Sequence, residues 1–230
     1  ASGCRQRDHQ GRLWLTCLRA RARMTDRVLL IHGIWNAKAW LSPLASRLRE
    51  AGFAPEVFGY SSVFGGPDVA VPELIARLRG TEGPVTLVGH SLGGLIALEA
   101  LRQAPDLPVS RVVCLGSPLR GSGAARGLAG RTWTAPVLGR SSHLLQRGFE
   151  RWEGKPPVGM VAGNVAHGVG RYFARFDGES DGTVAVAETQ LPGLADHCVV
   201  ASSHSGLVFS PEASRQAVNF LRDGHFSTPR

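Results

Sequence analysis

A chain of 230 residues, 43% hydrophobic and 19% charged, can bury the core of one α/β domain but not of two independent ones. Its formal charge of +8 is lopsided: residues 1–23 hold six arginines against one acid, Asp8, and the remainder shows no basic helix face with interleaved aromatics, which excludes nucleic acid as an expected partner. No apolar run reaches the roughly 18 residues of a membrane span, and Cys4, Cys17, Cys114 and Cys198 form no C-x-x-C pair, so neither a metal site nor a disulfide scaffold is expected.

Residues 1–23 have the arginine of a targeting segment, yet the patch "LWLTCL" lies ahead of "RARAR" and no small-residue cleavage site follows. The expectation is an extension upstream of a start at Met24, with a domain over 24–230 and a cytoplasmic location; the alternative is an extra strand near "RLWLTCL". From there short β-branched runs alternate with amphipathic stretches. Strands are predicted at 27–33 ("RVLLIHG"), 54–60, 84–90, 110–118, 157–163 and 196–202. Helices are predicted at 41–52, 69–80, 92–104 and 210–224, the last opened by Ser210 and Pro211. This alternation predicts a mostly parallel six-stranded sheet with helices on both faces. The exception is 119–156, rich in Gly, Ser and Arg and helical only near "SSHLLQRGFERW", which reads as an insertion. Cys114 and Cys198 fall in apolar runs and read as buried free thiols.

Within "PVTLVGHSLGGLIALEALRQ" a serine is flanked two residues away on each side by glycine. Composition alone produces roughly a quarter of a G-x-S-x-G match by chance, and a second match, "GESDG" (178–182), occurs here. Context separates them. Ser91 lies between an apolar strand and a helix, a sharp turn at which Gly89 and Gly93 are sterically required; "GESDG" has no strand before it and no helix after it. A serine hydroxyl needs a base and an orienting carboxylate to become a nucleophile. His204, in "VVASSHSGLVFSP", follows the last strand directly and sits at the sheet's carboxyl edge. Asp181, followed by Gly182 and a threonine-valine run, is the expected acid, with Asp177 the alternative. The amide of Leu92, after the nucleophile, and that of Ile34, after the first strand, are the expected oxyanion donors. Trp35 and Leu119, with Trp40 and Phe64 as further candidates, would line an acyl pocket; His32 and His90, at strand ends, read as structural.

Taken in order, "LLIHGIW", "LVGHSLGG", "SDGTV" and "SSHSGLVFSP" resemble the α/β-hydrolase superfamily over residues 26–224, in particular small bacterial esterases and lipases without a cap domain. The resemblance implies an α/β-hydrolase fold without a separate cap domain. It also implies hydrolysis of a small-molecule carboxylic ester, of short to medium acyl length, through an acyl-enzyme on Ser91, with no cofactor. Thioesters, lactones or amides on the same residues are the alternatives, and an intact Ser, Asp and His set disfavours a non-catalytic binding protein.

Overall fold

The computed structural model describes residues 27–34, 38–62, 65–123, 139–166 and 178–227; the expectations for residues 1–23, Trp35, Phe64 and Asp177 lie outside them. Six strands form one parallel sheet: β1 (Arg27–Ile31), β2 (Ala54–Phe58), β3 (Val85–His90), β4 (Val109–Leu115), β5 (Val158–Gly163) and β6 (Asp196–Val200), in the spatial order β2-β1-β3-β4-β5-β6. Each of the six predicted strands is present. The predicted strand ends at 60, 118 and 202 overshoot, because Tyr60, Gly116–Pro118 and Ser202 leave the sheet to build its carboxyl edge. The sheet carries α1 (Ser42–Glu50), α2 (Gly66–Arg79), α3 (Leu92–Gln103), α4 (Ser142–Arg147), α5 (Val186–Thr189) and α6 (Pro211–Asp223).

Period-two alternation sorts each strand between two cores. On one face Leu29, Ile31, Leu87, Cys114 and Met160 pack against Leu74 of α2, Ile96 of α3 and Leu144 and Leu145 of α4. On the other, Val28, Leu30, Val88, Val113 and Val161 pack against Leu44 and Leu48 of α1 and Phe220 of α6. Burial on both faces is why these strands read as continuous apolar runs. α6 begins as its sequence dictates, with the Ser210 side chain accepting from the Ala213 amide at 3.1 Å and Pro211 in the first turn. The strand order reverses direction between β1 and β3, which opens a crevice at their carboxyl ends, the place where ligands collect on sheets of this kind.

Candidate active site

Ser91 follows β3 directly and precedes α3, at φ 55° and ψ −121°; it is the one non-glycine residue with positive φ among the described residues. The strain is held from several sides. A Cβ at Gly89 would collide with the backbone of Gly93 and Gly94, and one at Gly93 with the carbonyl of Ile31. The Ser91 amide also donates to the Leu115 carbonyl at 2.9 Å, which ties the turn to β4. Both glycines are therefore required by space, and the close approach at Gly93 brings the backbone of Ile31 and His32, at the end of β1, against the first turn of α3. The Leu92 amide is the first of that helix and, like its neighbours, has no acceptor four residues back. The rival serine, Ser180, lies in an isolated antiparallel bridge with Ala185, without a strand-turn-helix context.

His204 and Asp181 close on Ser91 from the far side of the crevice. The His204 Nε2 is 3.0 Å from the Ser91 Oγ, and its Nδ1 is 2.7 Å from the Asp181 Oδ2. Asp181 is 1% exposed, and its Oδ1 accepts the amides of Thr183 at 2.9 Å and Val184 at 2.7 Å. Gly182, at φ 90°, allows that tight turn. With Oδ1 bound to two backbone amides, Oδ2 faces His204 as an acceptor, so Nδ1 is the donor on that side and Nε2 presents a lone pair to the serine hydroxyl. The His204 amide donates to the Asp181 carbonyl at 2.9 Å, so backbone and side chain are joined to the same residue.

Two further residues, Gly116 and Glu99, were not singled out in the sequence, and His90 has a partner that the sequence did not show. Gly116 turns the chain out of β4 at φ 56°, and a side chain there would press on Leu207, Asp181 and His204. His90, read as structural, has its Nε2 3.0 Å from the His204 carbonyl oxygen. Glu99 sits inside α3 and is buried. It accepts from Arg102 at 2.7 and 3.0 Å, from Gln103 at 2.8 Å and from Arg147 of α4 at 3.2 Å, and these donors, Arg102 first, hold its carboxyl below the usual range. A buried glutamate was invisible as such because the helix pattern shows only that a polar residue interrupts the apolar ones.

The remaining expected residues are placed as follows. His32 stacks on Tyr60 with ring centroids 4.3 Å apart, and its carbonyl accepts the Tyr60 hydroxyl at 2.8 Å, a packing role at the end of β1. Leu119 is fully buried in the core beside α3. Trp40 is 37% exposed and meets Phe209 edge-on at 5.2 Å. Cys114 is a buried free thiol, its pKa pushed up to about 12 by loss of solvent; Cys198 is free and partly buried. No helix among the described residues is long and apolar enough to cross a membrane.

Among solved structures the chain is similar to the mature form of the lipase BlEst2 of Bacillus licheniformis, at TM-score 0.70 and 21% identity over 87% of this chain and 92% of that one. It is also similar to the pyrethroid hydrolase PytH, at TM-score 0.61 and 15% identity over 87% and 99%. The type II thioesterase BorB of the borrelidin biosynthetic cluster follows at 0.54 and 16% over 86% and 92%. At these identities the likeness is one of fold. No curated protein matches the sequence. Residues 28–221 match the model described as "Alpha/beta hydrolase family", which spans the sheet, Ser91, Asp181 and His204 alike, and the chain therefore belongs to the alpha/beta hydrolase family.

Proposed function

We propose that the chain is a serine hydrolase that cleaves carboxylic esters of short to medium acyl length through an acyl-enzyme on Ser91. The observation that carries this reading is the continuous relay from the Asp181 Oδ2 through His204 to the Ser91 Oγ, at 2.7 and 3.0 Å. On this reading Ser91 Oγ attacks the ester carbonyl carbon while His204 Nε2 takes the hydroxyl proton, and Asp181 stabilises the imidazolium without accepting the proton itself. The carbonyl oxygen becomes an oxyanion received by the amides of Leu92 and Ile34, at the positive end of α3. Collapse breaks the bond to the alkoxy oxygen, which leaves as the alcohol with the proton from His204. Water then repeats the sequence on the acyl-enzyme, releasing the carboxylic acid and restoring Ser91.

The test is a set of single substitutions assayed on p-nitrophenyl butyrate and with a fluorophosphonate probe. Ser91→Ala is expected to abolish labelling and lower kcat by about 10⁵-fold or more, His204→Ala by a similar factor, and Asp181→Asn by about 10³- to 10⁴-fold. Undiminished labelling of Ser91→Ala would move the nucleophile elsewhere. Running thioesters, lactones and anilides beside the esters decides among the acyl-transfer reactions one triad can catalyse; a kcat/KM lower for esters than for any of these would overturn the ester reading.

A further inference from the structure

We infer that His90 is a positioning residue that holds His204 in line with Ser91 by bonding its backbone, an inference that rests on reading His204 as the base. His90 ends β3, precedes Ser91 and is 2% exposed. Its Nε2 lies 3.0 Å from the His204 carbonyl oxygen, and since a carbonyl only accepts, the nitrogen must be the donor. In the neutral ring Nδ1 is then a bare lone pair. That nitrogen is buried with no hydrogen-bond partner among the described residues. Leaving a buried acceptor unmatched is unfavourable, so a residue selected only to fill this space would be apolar. The imidazole leaves one nitrogen unmatched and places one donor on the backbone of the base.

His204 stands between β6 and the short 3-10 turn Ser205–Val208, with no strand ladder of its own to fix it. Two of its bonds, the amide at 2.9 Å and Nδ1 at 2.7 Å, run to Asp181, which itself sits in a turn. The His90 bond runs instead to the strand that carries the nucleophile, and β3 is paired on both sides, by β1 and β4. It thus ties the position of the base to a strand hydrogen-bonded on both sides, across a separation of 114 residues. The two imidazole rings lie 5.0 Å apart. Burial, and then the neighbouring His204, push the His90 pKa down to about 3, so this ring stays neutral when His204 takes its proton.

Three substitutions in the full chain test this. His90→Gln places an amide nitrogen where Nε2 was, His90→Asn is too short to reach, and His90→Phe keeps the ring but has no donor. The readouts are kcat and KM on p-nitrophenyl butyrate, the second-order rate of fluorophosphonate labelling, and thermal melting. The Phe and Asn variants are expected to lose about 10- to 100-fold in kcat and labelling rate, with KM within about threefold of the parent. The Gln variant recovers most of that loss. A Phe variant that labels as fast as the parent overturns the inference, and so does a Gln variant as slow as Asn, a comparison that holds even where Phe does not fold. Failure of the ester reading looks different: a parent that labels but does not turn over esters refutes the substrate class, while the labelling rates still decide on His90. A parent that does neither overturns the reading of the site and this inference together.

Discussion

At Ser91 the conformational strain and the chemistry proposed for its hydroxyl share one origin. A φ of 55° lifts the hydroxyl clear of the turn, at a cost of about 1–3 kcal/mol that the surrounding close contacts sustain. Its neighbour His90 has a different energetic signature, set by proton uptake. In the unfolded chain a histidine titrates near 6.5, whereas in the folded protein His90 resists protonation down to about 3, through burial first and His204 second, with Asp181 partly offsetting and His32 adding to the effect. Between those values the unfolded state binds the extra proton, so stability rises with pH and is lost on acidification. The slope from this one residue is on the order of 1 kcal/mol per pH unit between about 6 and 3. Denaturant unfolding at pH 7, 6, 5 and 4 is expected to show a flatter profile for His90→Gln than for the parent; parallel profiles would mean that the folded ring is not held neutral. Ser91, Asp181 and His204 were legible in the sequence because their residue types, order and flanking glycines are local. The partner of His90 was not, since a bond to a carbonyl far downstream leaves no trace in the sequence around it.

Among the elements, α4 bears on the proposed preference for short acyl chains. Leu144 and Leu145 are each 5% exposed and pack into the core with Trp152, while Arg147 reaches back to the buried Glu99 of α3. The apolar side of α4 is therefore committed to the body of the protein, and a helix so committed cannot also present a lipid-facing surface. Activity is expected to favour butyrate over long-chain esters and to show no jump as substrate passes its solubility limit. A rate series across that limit checks this, and a sharp rise on an emulsion would point to a lidded lipase. The strands were readable because β-branched runs buried on both faces have few alternatives. Their ends were not, because the exit from β4 is set by the backbone conformation of Gly116, at φ 56°, and not by where the apolar run stops. In 119–156 there is no sustained period to read, and the contact between Arg147 and the buried Glu99 that anchors α4 joins residues 48 positions apart.

The described residues form a parallel sheet between two cores, and its parallel character followed from the alternation of strands and helices, whereas the order β2-β1-β3-β4-β5-β6 is a property of the assembled chain. Ser91 is carried by β3, while Asp181 and His204 follow β5 and β6 on the other side of β4. Ser91 and His204 meet across 113 residues, Asp181 and His204 across 23. Contacts of such separation form only after a long loop has closed, and parallel sheets pay that entropy strand by strand. Helical signal by circular dichroism is therefore expected to return ahead of fluorophosphonate reactivity when the denatured chain is refolded, and simultaneous recovery would contradict it. On the proposed function the relay works as a coincidence detector for the sheet: a partly folded chain that has β1 to β4 but lacks the β5–β6 edge holds Ser91 on its strained turn without Asp181 and His204, so a half-made molecule does no chemistry.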